Sequence, residues 1–174
     1  MRSLLLAGLA ATLAALPLAG QAADPPTHFE ATLSGGQETP PVATNTVGSF
    51  RIAFSTNFAT AFFDLDVIRG VRITQAHLHC APIGQAGPIV AFLAGFHANG
   101  WEVDGNWVSD TALSNANLLA AATPSATCPA DINNLRDLAA AAAAGLIYVN
   151  VHNPAIPSGV VRGQLVRSGR PLGR

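Results

Sequence analysis

The chain has 174 residues, with nine basic and ten acidic side chains, and every basic residue is arginine. This near-neutral balance excludes a phosphate-tracking nucleic-acid binder, which needs a basic surplus, and no glycine-rich phosphate loop is present. Sixteen glycines and twelve prolines in a chain of this length point to one turn-rich domain.

Residues 1–23 read as a secretory signal: Arg2, an apolar stretch from Leu4 to Leu18, then small residues Gly20, Ala22 and Ala23. That stretch is short for a membrane span of about 20 residues. Cleavage after Ala23 leaves a mature chain with no stable membrane span, secreted or periplasmic, with eight arginines against ten acids. The two cysteines, Cys80 and Cys128, are expected to form a disulfide in an exported chain. It would close a loop of about 49 residues and add roughly 3–4 kcal/mol in the chain-entropy model.

From His28 to Ser34, Phe29, Ala31 and Leu33 alternate with polar residues, which predicts a half-buried strand. Residues 35–43 form a turn-rich loop containing Glu38-Thr39-Pro40-Pro41, either a recognition loop or a path fixed by proline. Val47 to Phe54 and Ala59 to Ile68 read as a hairpin about Ser55-Thr56-Asn57. Asp64 and Asp66 share one face of it, a weak carboxylate pair where solvent exposure is expected. Arg69-Gly70 is expected to turn the chain into a strand from Val71 to His79.

Residues 81–88 form a loop, Ile89 to Leu93 a short buried strand, and residues 95–106 a second loop. Trp107 to Thr111 makes another strand. Trp101 and Trp107 flank the Asp104-Gly105 turn, as a sugar- or partner-binding platform or as packing. Residues 113–127 carry no decisive period. Asp131 to Ala144 reads as one helix, with Asp131 as N-cap and Gly145 as its stop. Leu146 to Val151 is a buried strand, 154–159 a turn, and Val160 to Val166 the last strand; residues 168–174 form a flexible tail. Hairpin connections dominate, so the fold class is all-β, an antiparallel sandwich or barrel with one inserted helix.

The chemistry concentrates on three histidines. In a strand, His77 and His79 project from the same side about 7 Å apart, which lets two imidazoles reach one transition-metal ion. His152, ending the apolar run from Leu146, supplies a candidate third nitrogen. Neutral imidazoles suit Cu, Zn, Ni or Fe, and intrinsic affinity favours copper. The competing reading is a row of hydrogen-bonded histidines at strand ends. Asn150 shares the face of His152, either to orient an imidazole or to satisfy strand-end backbone. No Ser-His-Asp or nucleophile-elbow pattern is present.

Taken in order, these stretches resemble the CHRD domain, first described in the developmental regulator chordin. The matching pieces are Ala31 to Pro41, Gly48 to Phe54, Ala76-His77-Leu78-His79, Gly87 to Val90, Leu135 to Gly145, Tyr148 to Asn153 and Gly159 to Leu165. The resemblance implies an immunoglobulin-like antiparallel barrel over residues 24–167. CHRD domains are in turn distantly similar to Cu/Zn superoxide dismutase. That likeness maps His77, His79 and His152 to copper ligands and Arg162 to an anion-guiding arginine. A bridging histidine and a zinc loop have no counterpart here, and His97 matches neither. Three functions follow as expectations: metal binding outside the cytoplasm, superoxide dismutation, or a metal-free module for an extracellular or periplasmic protein partner.

Overall fold

The computed structural model describes residues 25–170; the expected signal at 1–23 and residues 171–174 of the expected tail lie outside them. Nine strands and one α-helix follow in order: β1 (His28–Ser34), β2 (Val47–Phe54), β3 (Ala61–Ile73), β4 (Gln75–Cys80), β5 (Ile89–Ala94), β6 (Trp101–Leu113), α1 (Leu135–Ala143), β7 (Ile147–Asn153), β8 (Ile156–Gln164) and β9 (Val166–Arg167).

The alternation read from the sequence sets the register. Phe29 sits opposite Ile52 and Ala31 opposite Phe50, while Phe50 meets Leu65 and Ile52 meets Phe63 on the next strand. Their side chains share the core face, where Phe50 and Phe63 pack with ring centroids 5.7 Å apart. All pairings are antiparallel, in the order β5-β4-β7-β8-β1-β2-β3-β6, with β9 added beside β1. The all-β barrel-like architecture is therefore the one expected.

The edge strand β5 is covered. Ala91 bridges to Leu118, and the Leu119 amide donates to the Val90 carbonyl at 2.9 Å. Cys80 and Cys128 form the expected disulfide, which ties this covering segment to the end of β4. The helix buries Leu135, Leu138, Ala139, Ala141 and Ala142, and it lies against β7 and β9. Among the described residues no helix is long and apolar enough to cross a membrane.

Four boundaries differ from the sequence reading, each for a local reason. Arg69-Gly70 does not end the strand: β3 runs through it to Ile73, paired irregularly with β6. Where that ladder slips, β6 carboxylates take over, with Asp104 accepting from the Arg69 amide and Glu102 from the Arg72 amide. For the same reason 101–106 belongs to β6 and not to a loop. The helix starts later, because Asn134, not Asp131, caps it by accepting from the Asp137 amide at 3.0 Å. Finally, β8 starts at Ile156, since the turn after Asn153 is tighter than expected and the Asn153 side chain accepts from the Ile156 amide.

Candidate metal centre

Strands β4, β7 and β8 lie side by side, and their alternation separates two chemistries. Ala76, Leu78, Cys80, Val149, Val151 and Val161 face the core and are buried. On the opposite face, antiparallel register makes rows: His79 beside Tyr148 beside Gln164, then His77 beside Asn150 beside Arg162, then Gln75 beside His152. Such a face would ordinarily meet solvent, yet His77, Tyr148, Asn150, His152 and Arg162 are all buried. Two loops roof it. The Arg162 guanidinium ties them together, donating through one Nη1 to the Thr39 hydroxyl at 3.1 Å and to the Gln85 carbonyl at 3.0 Å.

The three histidines converge. The His77 Nδ1 and His152 Nε2 atoms lie 2.9 Å apart, with ring centroids separated by 4.7 Å. His79 closes the triangle, its centroid 5.5 Å from that of His77 and 6.2 Å from that of His152. One ring nitrogen from each lies within 4.8 Å of the others. Among the described residues this is the only such group of three or more His, Cys, Asp or Glu side chains. His97 stands apart, stacked on Trp101 at 4.2 Å.

Hydrogen bonding sets the tautomers. The His79 Nδ1 donates to the Gly87 carbonyl at 3.0 Å, and the His152 Nδ1 donates to the Pro157 carbonyl at 2.9 Å. A carbonyl only accepts, so both Nδ1 atoms carry the proton and both Nε2 atoms present a lone pair. The His77 Nδ1–H donates to the His152 Nε2. The His79 Nε2 and His77 Nε2 atoms are buried without a partner. This matches the arrangement in which a ligating imidazole gives its other N–H to a carbonyl.

Electrostatics keeps the cluster neutral. Burial pushes the His77 imidazole down to about 3, helped by the neighbouring His152 and His79. Burial likewise pushes His79 down to about 4, against the Gly87 hydrogen bond that favours its charged form. His152 is lowered too, again chiefly by burial. All three are therefore unprotonated at neutral pH, the form that binds metal.

The match to a known family covers this framework: the CHRD domain model aligns with residues 29–165. The chain belongs to the CHRD domain family. Comparisons with curated proteins and with solved structures give no match. The three histidines, the β4–β7 pairing and the roofing loops of this CHRD domain all fall within the matched span.

The other candidate residues are placed as follows. The Asn150 amide donates to Glu38 Oε1 at 2.8 Å and makes no hydrogen bond to an imidazole. Arg162 lies across Tyr148, its guanidinium carbon 3.7 Å from the ring centroid, while His79 stacks on that ring at 4.9 Å. Because β4 and β8 flank β7, His79 and Arg162 reach Tyr148 from opposite sides. Both cysteines are in the disulfide, so neither is a metal ligand. Asp64 is engaged by Arg51 at 3.3 Å, and Asp66 accepts from the Ser49 hydroxyl and the Asn106 amide. Trp107 packs partly against the core, 5.7 Å from the more exposed Trp101.

Sequence reasoning missed three supports. Gly87 orients His79 through its carbonyl, while its amide donates to the Tyr148 hydroxyl at 3.2 Å. A Cβ at Gly87 would stand 1.9 Å from the Cys80 carbonyl oxygen, so only glycine fits. Tyr148 packs against His79, and Glu38 reaches in from the roof. The available signal was Tyr148-x-Asn150-x-His152, polar groups alternating within an otherwise apolar strand.

Proposed function

We propose that this is an exported CHRD-domain protein that binds one copper ion through His77 Nδ1, His79 Nε2 and His152 Nε2. One observation carries the reading: two imidazoles are held by backbone carbonyls with their bare nitrogens turned toward a third. Bonds of about 2.0–2.1 Å require cis nitrogens ~2.9–3.3 Å apart. The His77–His152 pair stands at 2.9 Å, and the remaining separations of up to 4.8 Å would shorten on binding. The donor set fits copper, which tops the divalent affinity order and accepts imidazole. When bound, the ion supplies a Lewis-acidic and redox-active centre. The chain's residues hold it, keep water from its nitrogens and fix the tautomers of His79 and His152, while His77 would move its proton from Nδ1 to the unpartnered Nε2 to bind.

Export is supported by the leader-like residues 1–23 and by the disulfide, a bond that persists in oxidising compartments. The dismutase-like reading has less support, because Arg162 reaches Tyr148 from the flank opposite His79. The test is copper uptake by the mature chain after desalting. One copper per chain in the wild type, lost in His77→Ala and His152→Ala, supports the reading. Equal uptake by all three removes it, and leaves a metal-free module for a protein partner outside the cytoplasm. A superoxide assay on the loaded protein separates binding from catalysis: no rate above buffer removes the enzyme.

A further inference from the structure

On the flank of Tyr148 away from His79 lies a second polar centre that the metal reading leaves unused. A cavity of about 380 Å³ opens between the 36–41 loop and β8, lined among others by Glu38, Pro41, Ile83, Arg162 and Gln164. Its volume falls within the range of small-ligand sites. Arg162 is only 2% exposed, and its second guanidinium nitrogen, Nη2, is sealed from water with no hydrogen-bond partner. Among the described residues no carboxylate forms an ion pair with it within 4.0 Å. Two residues along the strand, the Gln164 Oε1 is also buried without a partner, although its amide nitrogen donates to the Ala81 and Gly145 carbonyls. A buried cation with an unused donor and no carboxylate at ion-pair distance is costly. Here it stands beside an unused acceptor, at the side of a cavity with an apolar wall.

We propose that this cavity binds a small monocarboxylate bearing a hydroxyl group. The carboxylate accepts from the Arg162 guanidinium, the hydroxyl donates to Gln164 Oε1, and the carbon chain lies against Pro41 and Ile83. The geometry selects for each part. With Nη1 already engaged by Thr39 and Gln85, the unused Nη2 is a charged donor for one carboxylate oxygen. The amide oxygen accepts but cannot donate. Ile83 is 74% exposed, an aliphatic side chain at the rim of the cavity.

Glu38 makes the site proton-linked. Its carboxyl is pushed up to about 7 by burial, opposed by the Arg162 charge and by the Asn150 hydrogen bond. The charged or titratable groups acting on it are Arg162 and Tyr148, both on the sheet beneath, and burial raises the Tyr148 phenol above its usual range, so it stays neutral. A second carboxylate in the cavity favours protonated Glu38, so binding takes up a proton and tightens as pH falls from 8 to 6.

The inference does not rest on copper, and its test excludes copper. The mature protein, held in excess chelator, is titrated with 3-hydroxybutyrate by calorimetry, with butyrate and 3-hydroxybutyramide as controls. One site per chain is expected, at least tenfold weaker for the amide, weaker for butyrate, and tighter at pH 6 than at pH 8. Arg162→Met should abolish binding. Because that buried change can unfold the chain, Ile83→Trp at the exposed rim is the second variant; it should weaken binding about tenfold with unchanged circular dichroism. No heat from 3-hydroxybutyrate, equal binding of acid and amide, or wild-type binding by Ile83→Trp overturns the proposal and leaves the cavity to water.

Discussion

On β2 and β3 the residues facing away from the core include Ser49, Arg51, Asp64 and Asp66. On β4, β7 and β8 they are His77, His79, Tyr148, Asn150, His152 and Arg162. Both sets arise from the same two-residue alternation, and both place polar groups opposite one another across a ladder. In the first, Arg51 reaches Asp64 at 3.3 Å and Ser49 reaches Asp66 at 2.9 Å, with the Arg51 side chain 43% exposed. In the second, loops cover the face, and burial drives the imidazoles to their neutral form. The strand pattern thus supplies the side chains, and the roof supplies the chemistry. A glycine at 87, a carbonyl at 157 and an arginine at 162 turn a polar sheet face into a roofed cluster of neutral imidazoles that could hold a metal ion.

Substitutions break this contrast in a graded way. The largest effect is expected at the ligands. His152→Ala should weaken copper binding by more than ~100-fold, beyond the 10–100-fold that losing an outer-shell partner costs. Arg51→Ala should leave copper affinity unchanged; calorimetric titration checks both. Next comes the roof. Gly87→Ala must move the chain at Cys80, costing about 1–3 kcal/mol in urea unfolding, with a ~10-fold loss in copper affinity as the His79 partner shifts. In contrast, Gly36→Ala meets nothing within 4 Å and should stay within ~0.5 kcal/mol of wild type.

The pH dependence sharpens the same comparison. In the unfolded chain the histidines take up protons near 6.5, whereas in the fold His79 does so only near 4 and His77 near 3. Their folded values are depressed, so the unfolded state binds more protons between these limits. Metal-free stability should fall as pH drops from about 6.5 toward 4, by on the order of 5 kcal/mol from these two groups before Glu38 is counted. Glu38 opposes this, since its value is raised from 4.5 to about 7 and it therefore favours the fold more at the acid end. Urea midpoints at pH 7 and pH 4.5 measure the net slope, which should flatten in His79→Gln. The smallest effect belongs to the bare face: Arg51→Ala should cost no more than ~0.5 kcal/mol, as for exposed ion pairs generally.

Much of the fold was legible. The alternation of Phe29, Ala31 and Leu33 and of Phe50, Ile52 and Phe54 gave β1 and β2 to the residue. Misplaced boundaries fell where a side chain replaced a backbone partner, as Asp104 and Glu102 do beside Arg69 and Arg72, and such substitutions leave no period to read. For the site, the i, i+2 spacing marked His77 and His79 as neighbours. Whether His152 joins them depends on β4 pairing with β7 across seventy residues, a long-range contact that local pattern does not encode. Gly87 was invisible for another reason: its role lies in a carbonyl, which every residue has, and in the absence of a Cβ beside Cys80.

The most direct measurement is electron spin resonance of the copper-loaded mature protein, with nitrogen couplings resolved by electron–nuclear double resonance. The expected result is a single type-2 centre coupled to three imidazole nitrogens, reduced to two in His79→Ala. A spectrum with one or no coupled imidazole, or one that His77→Ala, His79→Ala and His152→Ala all leave unchanged, would contradict the account.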